Sequence, residues 1–280
     1  MAVSLRPNVY FYTTLGLQLC IVLGAIPMLS YKVKYFENTE YPFILFVSQK
    51  NSDSFQDFLC TGALISKRHL IVPAQCIKNK AVEDLQVTRG SEEHLFSQSV
   101  TYDVSSTITY KNWASNFTDK FVILSDHDIA IIKTKEKVKG IIPASISIRN
   151  DSIQAGYEVN AIGWLEYRHP NAREFIRRPE EVSMVMLNST ECIRESTNII
   201  EIINSLLMDE TLCAETKSRG PLVTARDQIG PVLDSDESLL GIITQHYETS
   251  SHREVELILR LDDFTDFISK VTNNSISYTY

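Results

Sequence analysis

Residues 59–76 read LCTGALISKRHLIVPAQC. Two short β-rich runs, Leu59–Ile65 and Leu70–Pro73, lie on either side of the polar Ser66–His69, and Cys60 and Cys76 bracket the whole. Similar runs recur between polar clusters: Phe43–Val47, Leu85–Thr88, Ile129–Lys133, Glu158–Ile162, Val182–Leu187 and Leu239–Thr244. Many short strands of this kind predict an all-β sandwich or barrels. Helical periodicity is confined mainly to the end, where Leu261, Phe264, Ile268 and Val271 recur at three- and four-residue steps. That spacing puts them on one helix face, and Asp262 and Asp263 stand near the helix start, where the dipole favours acids. A second helix is expected over roughly Ser189–Glu195, and the apolar Ile199–Leu207 fits strand or helix.

Composition narrows the function classes. The 280 residues are 44% apolar and 22% charged, with net charge −8. Such a chain is too apolar for disorder. An acidic chain without a basic stripe is a poor nucleic-acid binder. No HExxH, no close Cys-x-x-Cys pair and no Gly-rich phosphate loop is present, so no metal site and no cofactor are expected.

The first 30 residues read as a targeting segment. Arg6 precedes an apolar core from Leu15 to Ile26, followed by Pro27 and Ser30 and then Lys32 and Lys34. This is the pattern of a secretory signal peptide over residues 1–30. The alternative is an uncleaved membrane anchor that keeps residues 1–30, although the core is short beside the ~20 apolar residues of a span; no other segment is long and apolar enough, so no stable membrane insertion is expected once the signal is removed. Cys20 leaves with the signal, and Cys60, Cys76, Cys192 and Cys213 remain. An even number of cysteines suits an oxidising, extracellular compartment, with three connectivities open and two local pairs suggested by their order. Four sequons, at Asn116, Asn150, Asn188 and Asn273, agree with a glycosylated secreted surface.

Several segments in order resemble the chymotrypsin-like (trypsin-fold) serine proteases. Cys60–Ser66 resembles the family's Cys-Gly-Gly-Ser-Leu-Ile-Ser strand, and Leu70–Cys76 its Leu-Thr-Ala-Ala-His-Cys. His127–Lys133 is similar to Asn-Asp-Ile-Ala-Leu-Leu-Lys, Ile162–Trp164 to the Gly-Trp-Gly turn, and Asp227–Val232 to Asp-Ser-Gly-Gly-Pro-Leu. Tyr41–Phe43, Leu240–Ile243 and Leu261–Ile268 resemble the first strand entry, the strand after the serine and the C-terminal helix. The resemblance implies two six-stranded antiparallel β-barrels with a C-terminal α-helix. It covers about residues 35–270, with a first barrel over about 35–149, a second over about 150–259 and a helix over about 260–272. It also implies the disulfides Cys60–Cys76 and Cys192–Cys213.

Transferred residue by residue, the resemblance implies a degenerate catalytic centre. The carboxylate of the triad is kept as Asp128. The histidine position holds Gln75 and the serine position holds Gln228. A carboxamide neither takes a proton near neutral pH nor supplies an attacking oxygen. The oxyanion glycine is replaced by Arg226, the pocket acid of tryptic members by Leu222, and the substrate-edge Ser-Trp-Gly by Thr244–Gln245–His246. The Gln75 amide is expected to hydrogen-bond Asp128. His246 reads as an exposed loop histidine, and Arg173–Arg178 as a solvated loop. His127 and Asp128, as neighbours on a strand, are expected to point to opposite faces.

The expected function is a secreted, non-catalytic protease homologue of the kind frequent in arthropod immune, seminal and venom fluids. It would bind an extracellular protein partner: a protease, a protease substrate or an inhibitor. The alternative is a residual hydrolase using a relocated nucleophile.

Overall fold

The computed structural model describes residues 33–35, 40–50, 58–89, 99–115, 127–148, 153–168, 175–188, 190–192, 211–216, 230–248 and 254–279. The chain divides into two units, Met1–Ser30 and Tyr31–Tyr280, and every element below belongs to the second. After the short β1 (Val33–Tyr35) come β2 (Ile44–Gln49), β3 (Phe58–Leu64), β4 (His69–Val72), β5 (Leu85–Arg89) and β6 (Val100–Thr109). A short α1 (Tyr110–Ala114) separates β6 from β7 (Ala130–Thr134). Strands β2–β3–β4–β7–β6–β5 close into an antiparallel barrel, with β5 pairing back to β2.

After β8 (Ser145–Ser147) the chain builds a second barrel. Its strands are β9 (Glu158–Arg168), β10 (Phe175–Met186), β11 (Thr211–Thr216), β12 (Pro231–Leu233), β13 (Leu239–Glu248) and β14 (Glu254–Arg260). The order β12–β9–β10–β11–β14–β13 is closed by the β12–β13 pairing. The C-terminal α2 (Thr265–Thr272) follows, and β15 (Ser277–Thr279) then runs parallel to β8. The molecule is thus two six-stranded antiparallel barrels with a short terminal helix.

The apolar runs are continuous, not alternating, because their strands are buried on both faces. In β2, Leu45 and Val47 fill the first barrel while Ile44 and Phe46 enter a core shared by both barrels. The same alternation puts Leu70 and Val72 inside the first barrel and Ile71 in the shared core. In the second barrel Leu240 and Ile243 point inward, while Leu239 and Ile242 join the shared core. Leu261 and Phe264 join that same core from a 3-10 turn, Asp262–Phe264, and its cap, and Ile268 joins it from α2; the helix expected from about residue 260 begins at Thr265. There Trp164, 1% exposed, meets Phe46 edge-on at 5.2 Å and donates its backbone N–H to Thr61 Oγ1 at 3.2 Å. Gly163 is required beside it, because a Cβ there would lie 2.9 Å from Thr61 Oγ1.

A second tie links the barrels near the start of the chain. The Tyr41 hydroxyl donates to Glu181 Oε2 of β10 at 3.1 Å. Burial first, and then the Glu181 charge and hydrogen bond, hold the phenol well above its ordinary titration range. Two disulfides pin local structure: Cys60–Cys76 and Cys192–Cys213.

Several sequence expectations are corrected. Arg177 and Arg178 do not sit in a solvated loop; they belong to β10, opposite Glu166 and Leu165 of β9. Hairpin pairing beyond Ile162 extends both strands past the apolar runs that mark them in the sequence. Residues 190–192 are helical, inside the expected Ser189–Glu195, whereas Ile199–Leu207 and Arg173 lie outside the described residues.

Candidate active site

A 3-10 turn, Ala74–Ile77, follows β4 and carries Gln75. Pro73 caps it without a side-chain bond, and its geometry rests on Cys76 N–H to Pro73 O at 3.1 Å and on the disulfide from Cys76 to Cys60 of β3. The turn is therefore a fixed platform. Gln75 is exposed at its tip.

Gln75 donates two hydrogen bonds. Its backbone N–H donates to Asp128 Oδ1 at 2.6 Å. Its side-chain Nε2 donates to the Thr244 carbonyl oxygen of β13 at 2.8 Å. The expected amide-to-Asp128 bond is thus corrected: the carboxylate receives the main chain, and the side chain crosses to the second barrel. A physical reason is visible in the sheet. The β13–β14 register shifts between Ile243 and Gln245, so Thr244 sits at a bulge. Bulged residues fall out of the ladder, which leaves a carbonyl free for an outside donor.

His246, two residues along β13, is not an exposed loop residue. Its side chain is 8% exposed and its Nδ1 lies 2.7 Å from Glu256 Oε1, itself 1% exposed. The two are direct register partners across β13 and β14. A charged residue at a core position of β14 masks the strand signal in the sequence, so the place of Glu256 is not legible there. The only clue is its placement in the otherwise apolar Val255–Leu259.

His127 and Asp128 precede β7, so strand alternation does not decide their directions. The His127 ring packs against Tyr110 and Phe264, with centroids 5.1 Å and 5.3 Å away. Leu222, Arg226 and Gln228 lie outside the described residues, as do the sequon residues Asn116 and Asn150. Asn188 and Asn273 are exposed. Asn188 Oδ1 accepts from the Glu191 N–H at 2.8 Å, and Asn273 closes α2 in the left-handed region at φ 54°.

Among the described residues, an alcohol–imidazole contact occurs elsewhere. Ser66 Oγ and His69 Nδ1 are 2.6 Å apart in the β3–β4 turn, and both residues are buried. His69 opens the four-residue β4, ~10 Å of strand before Val72, and Gln75 follows three residues beyond the strand's end. Burial, then the charges of Lys133 and Arg68, lower its pKa to about 4. Enclosed this way, the pair offers no surface on which a substrate bond can be attacked.

Among the described residues, no group of three or more His, Cys, Asp and Glu side chains is placed to hold a metal ion. Among the same residues, no helix is long and apolar enough to cross a membrane.

The paired barrels match solved structures. The chain superposes on the scabies mite inactivated protease paralogue S-D1 with a TM-score of 0.62 over 88% of this chain and 98% of that one, at 15% identity. In sequence it is 24% identical to phenoloxidase-activating factor 1 of Holotrichia diomphalia over 145 residues, 45% of this chain and 38% of that protein. It is 26% identical to the venom serine protease Bi-VSP of Bombus ignitus over 188 residues, 62% of this chain and 47% of that protein. The matched parts therefore span half or less of those relatives. The trypsin family profile matches residues 33–268. With that coverage and this architecture, the chain belongs to the trypsin family.

Proposed function

We propose that this chain is a non-catalytic member of the family that works by binding an extracellular protein: a protease, a protease substrate or an inhibitor. One observation carries the reading: Gln75, at the position of the family's proton acceptor, spends its side chain on the Thr244 carbonyl. An amide donating there is a strut between barrels, with no lone pair basic enough to take a proton from an alcohol. Gln228 at the nucleophile position, and Arg226 and Leu222 at the oxyanion and pocket positions, support the same reading from sequence. Loss of base or nucleophile in a triad costs ~10⁶ in turnover, so loss of both leaves no useful hydrolase.

Binding surfaces survive loss of chemistry, because the loops between strands remain on a rigid scaffold. The relatives named for phenoloxidase activation and for venom support an extracellular setting. We place secretion on removal of residues 1–30, and glycans on the exposed Asn188 and Asn273, with Asn116 and Asn150 as further acceptors.

The test uses the protein secreted from eukaryotic cells. It is incubated with a serine-directed fluorophosphonate and, separately, with a broad peptide library. Neither covalent labelling nor cleavage is expected. Labelling together with turnover that persists in Gln228→Ala would overturn the proposal and favour a relocated nucleophile.

A further inference from the structure

Residues 134–144 lead from β7 toward β8 and lie as a strap over one end of the first barrel. Val138, 1% exposed, and Ile141, 2% exposed, enter that barrel's core. A Cβ at Gly140, where φ is 70°, would stand 3.9 Å from Arg89 Nη1, so the strap reaches from the start of β4 to the end of β5. The end of β3 and the β3–β4 turn hold it by hydrogen bonds. Thr134 N–H and Oγ1 donate to Arg68 O at 2.9 and 3.3 Å, and Val138 N–H donates to Lys67 O at 2.8 Å. Lys67 Nζ donates to Ile141 O at 2.9 Å, and Ala144 N–H to Leu64 O at 2.8 Å.

A buried imidazole sits at the root of this turn. Ser66 Oγ accepts the Arg68 N–H at 3.3 Å and the His69 N–H at 3.2 Å. Both lone pairs of the hydroxyl are then used, so its own proton is left to donate to His69 Nδ1, 2.6 Å away. The neutral ring therefore carries its proton on Nε2, a buried atom without a hydrogen-bond partner. Charging the ring adds a second N–H at Nδ1. That proton faces an oxygen already accepting two, and the serine hydroxyl loses its acceptor. The charges that act on the ring are Arg68, next to it in the turn, and Lys133, opposite it on β7. Both are cations, and neither offers an acceptor to the ring. On the strap, Lys135 pairs with Asp103 at 3.3 Å, and Glu136, Lys137 and Lys139 are exposed.

We infer that Ser66 and His69 form an acid-sensitive clasp, in which protonation of the ring frees the strap and bares the apolar end of the first barrel. Acid favours any open conformation in which the ring meets water, because only there is the charge solvated. The ring titrates at about 4 in the closed turn, against 6.5 for a ring in water. The open form is therefore about thirtyfold more populated at pH 5 than at pH 7.5. The opening is local. Isolated hydrogen bonds and the Val138 and Ile141 side chains hold the strap, whereas continuous ladders hold the strands. The clasp uses none of the residues around Gln75, so it operates whether or not the crevice is catalytic.

The test follows hydrogen exchange of the full secreted chain at both pH values, corrected for the pH dependence of intrinsic exchange. Protection of the Val138 and Ala144 amides should fall about thirtyfold at the lower pH. The strap should exchange ahead of β13 and β14 at both. In His69→Gln, whose amide accepts the serine proton but does not titrate, protection should change by about twofold or less. No acid-dependent loss in the unmodified chain overturns the inference. So does an equal loss in His69→Gln, or a strap that exchanges together with β13 and β14 as one unit. An NMR titration of the His69 ring in the unmodified chain is a second readout that needs no variant. A midpoint below about 5 that accompanies the loss of strap protection supports the clasp, and an ordinary histidine midpoint overturns it.

Discussion

Gln75 Nε2 and the Thr244 carbonyl oxygen are 2.8 Å apart, and this bond joins the first barrel's 3-10 turn to the second barrel's β13. In a hydrolase of this architecture the same point needs a proton acceptor that stays free to turn over. Here it is a fixed donor. Gln75→Ala should lower stability by about 1 kcal/mol, since one partly exposed hydrogen bond is lost. On the proposed function, which puts Gln228 at the nucleophile position, Gln75→His should give no detectable peptide hydrolysis. Urea melts and a fluorogenic peptide assay check the two outcomes. Hydrolysis by the single Gln75→His variant would show that an alcohol elsewhere serves as nucleophile.

A pH dependence follows from His69. Its pKa is lowered from 6.5 to about 4, so between those values the unfolded chain binds more protons than the folded one. Stability contributed by the neutral ring is fully present above pH 6.5 and is lost as pH falls toward 4. The loss amounts to up to about 3 kcal/mol, at about 1.4 kcal/mol for each pKa unit. His69→Gln should flatten the stability–pH curve in that window. Unchanged slopes in the two proteins would mean that the ring is protonated at no cost in its turn.

The legible part of this chain is the part buried on both faces. Runs such as Ile44–Val47 and Leu70–Val72 stand out because both alternating sets of residues enter a core. The β6 strand is not legible for the opposite reason: in VTYDVSSTIT only Val104 is fully buried, so the sequence carries little apolar signal. The β14 strand was hidden by Glu256, a carboxylate at an interior position. At the site, the residue types at Gln75 and Asp128 were readable from sequence, but their partners were not. A bulge at Thr244 decides where the glutamine amide goes, and a bulge is a property of register between two distant strands.

Gly163→Ala tests the packing between the barrels. The new methyl would sit 2.9 Å from Thr61 Oγ1, which already accepts the Trp164 N–H. Neither Thr61 nor Trp164 has room to yield, since they are 0% and 1% exposed. Overpacking of this kind costs about 1–3 kcal/mol. Thermal denaturation should show the loss, and a Trp fluorescence shift should accompany it. A neutral result would mean that the barrels slide apart without penalty.

The His246–Glu256 pair makes the sharpest stability prediction. Glu256 is 1% exposed and its Oε1 lies 2.7 Å from His246 Nδ1, so His246→Ala removes a partner from a carboxylate that water does not reach. Breaking a buried pair from one side costs about 3–5 kcal/mol. The remaining interactions of Glu256 temper this, so a loss of about 2–4 kcal/mol is expected. Replacing both groups with apolar side chains removes the stranded charge as well as the bond. The variant His246→Leu/Glu256→Leu should therefore recover most of the loss, because apolar substitutes for buried ion pairs are often neutral or stabilising. A double variant as unstable as the single one would show that β13 and β14 depend on this polar contact for their register, and that desolvation is the lesser term.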